Sequence, residues 1–321
     1  MKTLPAGFDD TLLHPSLAAG WGLEARSADY LPVGFGSYHW LVSDAGARRY
    51  FVTVDDLDQK PWLGVIRNFA FAGLGRALDT ALALRRDAGL AFVVAPLLTV
   101  EEKSVRRMGD RHAVSVFPFV EGRAGHFGEE PGPRGRGEVV HMLGQLHGSV
   151  PSSCDLRVDV PMPGRAAFEA ALDAVGEPWH GGPFSEPARA WLADHASGLR
   201  GQLEELDRLA VSLDGRDLVV THGEPHPGNL MRDADRLMLI DWDTVALAPP
   251  ERDLWMVARP DSAELAQYVD ETGREVDHDA LACYRLAWDL ADVAAYIDQF
   301  RCAHERTEDT VQAWRYLTGD D

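Results

Sequence analysis

Lysine is scarce in this chain: only Lys2, Lys60 and Lys103 occur among 321 residues. Cysteine is equally sparse, and Cys154, Cys283 and Cys302 are odd in number, lie far apart and form no CxxC pair, so they read as reduced core or surface thiols. No apolar run approaches the roughly 20 residues that span a bilayer; the longest, Leu90 to Val100, contains a proline. The first residues, Met1-Lys2-Thr3-Leu4-Pro5, lack the apolar stretch and cleavage site of a signal peptide, and a cytoplasmic protein is expected. Basic charge is in deficit as well: 51 acidic against 31 basic residues leave a formal charge of −20. That field opposes nucleic-acid backbones and anionic membranes, so neither is an expected partner, and no obligate protein partner is indicated. It suits a cationic small molecule, and it equally suits a plain solvated surface.

What is present is core. Hydrophobic residues make up 45% of the chain, enough for one large two-lobed domain or two ordinary ones, and collagenous, disordered and coiled-coil classes are excluded. No internal repeat or low-complexity tract interrupts it. The pattern predicts a short helix near Asp9 to Ala19, then extended runs at 30–33, 38–42 and 48–54, separated by turns at Gly34-Phe35-Gly36 and Asp44-Ala45-Gly46. Helical spacing follows from Leu74 to Ala88 and stops at Gly89, and two more β-like runs cover 92–100 and 113–120. Past a Gly- and Pro-rich connector at 123–134 the pattern turns mainly helical, through Val139 to His147, Ala188 to Leu209, Ser262 to Val269 and Ala280 to about Phe300. Two short strands, 217–221 and 236–240, each run into a polar cluster. The expected fold is therefore α+β: a small β-rich lobe over residues 1–121 with a hinge at its end, and a larger helical lobe over 122–321, with ligands favoured between them.

The densest polar cluster is Thr221-His222-Gly223-Glu224-Pro225-His226-Pro227-Gly228-Asn229, followed by Asp241-Trp242-Asp243. Carboxylate and amide oxygens on tight turns are hard ligands of the kind that hold Mg²⁺ while leaving room for water and phosphate. Phosphoryl transfer needs those parts, with one more group to orient the attacking hydroxyl. A zinc site made by His222, Glu224 and His226 is the rival reading, but Pro225 and Pro227 exclude the regular helix that a zincin pair requires. The two histidines read better as groups that hold the loop by hydrogen bonds to backbone.

His222-Gly223-Glu224-Pro225-His226-Pro227-Gly228-Asn229 with Ile240-Asp241-Trp242-Asp243 resembles the aminoglycoside phosphotransferase and choline kinase superfamily, whose pattern is H-G-D-x-H-x-x-N and then I-D-x-[DE]. Leu143 to His147 is similar to the helix after the hinge in that family, and Ala248-Pro249-Pro250-Glu251-Arg252-Asp253-Leu254 to its A-P-x-x-R-D-L segment. The stretch from Pro32 to Ser37, together with Glu251 to Leu254, is most similar to the spectinomycin phosphotransferases. The resemblance implies a protein-kinase-like fold and a phosphotransferase using ATP or GTP with Mg²⁺. It implies that Asn229 and Asp241 ligate the metal, that Glu224 stands at the catalytic aspartate, and that Asp243 is an auxiliary acid. It further implies that Gly34, Gly36 and Ser37 form the phosphate-covering turn, and that Pro118, Phe119 and Val120 form the hinge that contacts the base.

Three departures bear on chemistry. Glu224 is one methylene longer than aspartate, a displacement of about 1 Å that can cost on the order of a hundredfold if uncompensated. Thr53 stands where the family has its phosphate-binding lysine, and Arg76 lies near the position of the glutamate that pairs with that lysine. A cation relocated to Arg76 is one reading and a surface arginine the other, with Lys60 a further candidate. For the acceptor, Trp179, Trp255, Trp288 and Tyr296 offer rings, and Asp253, Asp289, Asp292 and Asp298 offer charge; Asp289, Asp292 and Tyr296 share one helical face. An acidic solvated stripe over core tryptophans is the plain alternative. The expected substrate is an aminocyclitol or similar hydroxyl-rich natural product, with resistance or self-protection as the role. The competing expectations are a catalytically weakened nucleotide-binding protein and a metabolic kinase for choline, homoserine or a thiosugar.

Overall fold

The computed structural model describes all residues except 5–7, 9, 35, 127, 130–131, 151–155, 158–161 and 320–321. Cys154, Phe35 and Asp9, where the first helix was expected to start, lie outside the described residues. The chain forms two compact units, Thr3–Val158 with Arg216–Val276, and Asp159–Gly215 with Asp277–Asp321. The boundary expected between residues 121 and 122 falls inside the first unit.

That unit begins with α1 (Leu13–Trp21), β1 (Ala25–Leu31), β2 (Ser37–Asp44), β3 (Arg49–Asp56), α2 (Arg67–Arg86), β4 (Arg106–Met108) and β5 (His112–Pro118). The strands make one antiparallel sheet in the order β1-β2-β3-β5-β4. Because side chains alternate along a strand, Tyr38, Trp40, Val42, Val52, Val54, Val114 and Val116 all point to one face, where Leu13 and Leu17 of α1 complete a core. The opposite parity puts Ser37 across from Asp55 and His39 across from Thr53 on the other face. On that side Leu57 and Ala113 pack against Ala70, Leu74 and Leu78 of α2.

Two expectations are corrected here. Residues 92–100 form no strand: Pro96 has no N–H to give a ladder, and the segment is irregular, donating from Leu97 N–H to Val116 O at 2.7 Å and from Val94 N–H to Leu239 O at 3.1 Å. The edge of the sheet is instead the short, arginine-bearing β4. Helix α2 also starts well before Leu74, its buried face beginning at Ala70 and Gly73.

The chain continues through β6 (Arg123–Ala124) and α3 (Pro133–His147), passes into the second unit as α4 (Arg165–Asp173) and α5 (Ser185–Ala210), and returns as β7 (Val219–Thr221), β8 (Leu230–Asp233), β9 (Arg236–Leu239), β10 (Ala246–Ala248), α6 (Glu251–Val257) and α7 (Ala263–Thr272). β7 pairs with β10, and β8 lies between β6 and β9, all antiparallel. The second unit ends with α8 (His278–Arg301) and α9 (Glu308–Thr318). Its core is a leucine seam, Leu192, Leu199, Leu203 and Leu206 of α5 with Leu290 and Ile297 of α8, closed by Phe184 and Phe300.

Candidate active site

The polar clusters sit on two turns of the first unit that are tied together by backbone. The loop after β7 ends in a 3-10 turn, Pro227–Asn229, capped by His226, whose Nδ1 accepts from Gly228 N–H at 3.1 Å. β8 and β9 then form a hairpin, and Ile240 N–H donates to Asn229 O at 3.0 Å, so Asn229 and Asp241 stand side by side where the hairpin opens. The Asn229 amide donates through Nδ2 to the Glu224 carbonyl at 3.0 Å, which commits its nitrogen and leaves Oδ1 as the group with ligand capacity. Asp241 adopts a left-handed φ of 64°, a conformation aspartate tolerates better than most residues.

His222 couples both turns. It is fully buried; its Nε2–H donates to Ile240 O at 2.9 Å and its Nδ1 accepts from Glu224 N–H at 3.2 Å. Trp242 packs edge-on against the ring at 4.7 Å. Burial lowers the His222 pKa to about 4, so the ring is neutral, as this donor and acceptor pair requires. Both nitrogens are thereby used within the loop, which removes His222 from any zinc site.

Asp253 is a correction. Expected to face a cationic substrate, it is 0% exposed and accepts from His222 N–H (2.8 Å), Gly223 N–H (2.6 Å) and His147 Nε2 (3.1 Å). Burial alone would raise its pKa, but the hydrogen bond and charge interaction with His147 hold it below the usual value. Its work is to fix the loop that carries Glu224. Arg252 beside it bonds Thr221 Oγ1 at 2.7 Å and Thr244 O at 2.8 Å, and lies so near Gly223 that a Cβ there would come within 2.4 Å of the guanidinium. Gly223 also has φ 98°, so only glycine fits on both counts.

Charge in the site is unbalanced. Burial first, then the neighbouring Asp243 and Asp241, push the Glu224 carboxyl up to about 8, and burial with Asp243 pushes Asp241 up to about 7. Asp241 remains open to solvent on one side although protein surrounds it on the others. The cation answering these acids is Lys60, 3% exposed, with Nζ 2.5 Å from Asp243 Oδ2, 3.0 Å from Asp55 Oδ1 and 3.0 Å from Ser37 Oγ. Burial works against its charge, but Asp243, Asp55 and Asp241 together hold its pKa above the ordinary value. Lys60, with the Arg252 guanidinium acting on Glu224, faces four carboxylates, Glu224, Asp241, Asp243 and Asp55, and the acids outnumber the cations, an arrangement that a divalent cation fits. Among the described residues no three His, Cys, Asp or Glu side chains form a self-sufficient metal cage. The donors present are the Asn229 amide oxygen and the Asp241 carboxylate, which suit an ion that completes its shell with phosphate and water.

A family model described as the phosphotransferase enzyme family matches residues 31–307, most of the chain. The chain belongs to that family. It is a phosphotransferase. Protein StrN of Streptomyces griseus is 29% identical over 277 residues, covering 80% of this chain and 79% of StrN. The kinase-like α+β fold is shared with a spectinomycin phosphotransferase solved with ADP and spectinomycin (TM-score 0.75, 18% identity, 98% of this chain and 94% of that one). It is shared too with the choline kinase LicA of Streptococcus pneumoniae (TM-score 0.60, 16% identity, 97% and 99%).

Within this phosphotransferase the other expected residues fall as follows. Gly34 and Gly36 take φ 69° and 86°, conformations that favour glycine, and Ser37, at the start of β2, is buried with its hydroxyl donating to Asp55 at 2.7 Å. Pro118 ends β5, with Phe119 and Val120 following it. Arg49 lies 4.2 Å over the Phe119 ring. Thr53 contacts His39 Nδ1 at 3.2 Å. Burial lowers the His39 pKa to about 4, so this strand position carries no cation. Arg76 is exposed on α2 and Lys60 is the cation at the carboxylates. Trp288, Asp289, Asp292 and Tyr296 lie on α8 of the second unit; burial and the nearby Asp289 raise the Asp292 carboxyl to about 6, and the Tyr296 and Tyr316 ring centroids are 6.3 Å apart. Lys60 and Asp55 are the site residues that sequence reasoning underrated. The available signal was parity, since Ser37 and Asp55 share a face and Lys60 follows the same strand.

Proposed function

We propose that this chain transfers the γ-phosphoryl group of ATP or GTP to a hydroxyl of a small molecule. The observation that carries this reading is the backbone-tied placement of Glu224, Asn229 and Asp241, with the Asn229 amide locked to the Glu224 carbonyl and Ile240 locked to Asn229. In the reaction the acceptor oxygen bonds to the γ-phosphorus, the bond from that phosphorus to the β–γ bridging oxygen breaks, and the nucleoside diphosphate departs. Glu224 orients the hydroxyl and takes its proton. A loose transition state asks little of a base, so a carboxylate shifted by one methylene is compatible with turnover at a reduced rate. Asn229 and Asp241 would hold Mg²⁺, which neutralises charge on the phosphates when bound. The Gly34 to Ser37 turn would cover those phosphates, and the Pro118 carbonyl and Val120 N–H would meet the base.

For the acceptor we propose an aminocyclitol or related hydroxyl-rich amine. The fold shared with a spectinomycin phosphotransferase solved with ADP and spectinomycin supports this class. The net charge of −20 is compatible with a cationic acceptor. A coupled assay of nucleotide consumption over aminocyclitols, aminoglycosides, choline, homoserine and thiosugars tests it. Turnover confined to aminocyclitols is the expected result; turnover confined to a metabolite would assign a metabolic kinase, and tight nucleotide binding without turnover on any of them would favour a weakened, nucleotide-binding protein.

A further inference from the structure

We infer that Lys60 is the phosphate-binding cation of this phosphotransferase, supplied from beyond the end of β3 in place of a lysine at strand position 53. The inference rests on the nucleotide-dependent reading above and adds the residue that anchors the nucleotide.

Thr53 leaves that strand position without a charge, and its hydroxyl is engaged with His39. Lys60 follows the 3-10 turn Leu57–Gln59, which Asp56 caps by accepting from Asp58 N–H at 3.1 Å. After this turn the ammonium meets Asp55 and Ser37, which lie on the sheet face that Thr53 occupies. There it touches three separate parts of the site. Ser37 belongs to the glycine turn, Asp243 to the segment that carries Asp241, and Asp55 to β3. Asp55 thus supplies the carboxylate partner that a helix residue would otherwise provide, while Arg76 faces solvent.

The position of Lys60 is fixed by a clamp on α2. Leu63 N–H donates to Lys60 O at 3.0 Å, and the Leu63 carbonyl lies where a Cβ on Gly73 would approach within 2.3 Å. A Cβ on Gly64 would meet the Ala70 nitrogen at 2.5 Å. Such close approach of backbone to helix holds the segment from Lys60 to Gly64 in one place. A buried ammonium is costly unless paired, and here its three donors face Asp243, Asp55 and the neutral Ser37 hydroxyl beside the metal-binding pair, so that a phosphate oxygen would take the place of Ser37.

The alternative role is structural, with Lys60 serving only to neutralise Asp55 and Asp243. The two roles part in the contribution of the phosphates to binding. Calorimetric titration of wild type, K60R and K60M with adenosine and Mg·ATP, and with guanosine and Mg·GTP, measures how much the triphosphate adds to the affinity of the nucleoside. One lost charge-assisted bond should shrink that ratio by about tenfold to a hundredfold in K60M while nucleoside affinity stays within a small factor, and K60R should keep most of it. An unchanged ratio in K60M overturns the assignment of Lys60 and leaves the phosphotransferase reading standing. A wild-type protein that binds neither nucleotide overturns that reading itself. Should K60M alone not fold, K60M/D55N, which removes one of the carboxylates left behind, serves for the same comparison against D55N.

Discussion

Glu224 receives the hydroxyl proton in this account, so E224Q should lower kcat by about a hundredfold to ten-thousandfold while nucleotide affinity, measured by titration, changes little. Loss of binding in parallel with kcat would place the residue in nucleotide recognition instead. Two neighbours carry the loop rather than the chemistry. G223A forces a side chain into a left-handed backbone and against the Arg252 guanidinium, and urea denaturation should show a loss of at least about 2 kcal/mol. D253A leaves the His222 and Gly223 amides buried without an acceptor and should cost about 3 kcal/mol or more by the same measurement. That Glu224, Asn229 and Asp241 come together was legible in the sequence because the turns that hold them are local, a few residues on either side of each. Lys60 and Asp55 were not, because their meaning comes from Asp243, which is remote in the chain and is brought to them only by the fold. Asp253 was misread for the same reason: a lone aspartate shows its charge in sequence but not the two amides it faces.

Helix ends show how local physics sets the elements. Ser262 accepts from Leu265 N–H, Asp277 from Ala280 N–H, and Thr307 with Thr310 forms a reciprocal capping box at α9. D277A should therefore cost at least about 1 kcal/mol through loss of the cap at the start of α8, checked by denaturation against a D279A control on the same turn. β2, β3 and β5 were legible because alternation and turn residues agree along them. The run at 92–100 misled because apolar, β-branched composition there coexists with Pro96, and the missing N–H decides against a ladder. β4 escaped notice since three residues with two arginines carry no alternation, although a charged edge is what an unpaired sheet border favours. α9 went unread because its buried positions, Thr310, Ala313 and Leu317, include too few large apolar residues to reveal the spacing.

For the whole molecule, the excess of acidic groups links stability to pH through two opposed sets. His222, His39 and His226, each lowered to about 4 by burial, stabilise the folded chain fully above about pH 6.5 and progressively less as pH falls toward 4. Glu224 and Asp241, raised to about 8 and about 7, act in the other sense: their contribution is complete below the ordinary carboxylate range and is lost as pH rises through those values. Mg²⁺ held with nucleotide at Asn229 and Asp241, as proposed, would reduce the second penalty by placing a cation beside these carboxylates. The thermal shift produced by saturating Mg·ATP or Mg·GTP should accordingly be larger near pH 8 than near pH 5.5, and an equal shift at both would mean that these carboxylates do not meet the metal. The central claim, that the Glu224 loop passes a phosphoryl group to a hydroxyl, is tested most directly by phosphorus NMR of wild type and E224Q with Mg²⁺, nucleotide and the acceptor identified by the coupled assay. Wild type should build a phosphomonoester signal in step with nucleoside diphosphate and E224Q should do so about a hundredfold to ten-thousandfold more slowly, whereas ester formation by E224Q at the wild-type rate would contradict the account.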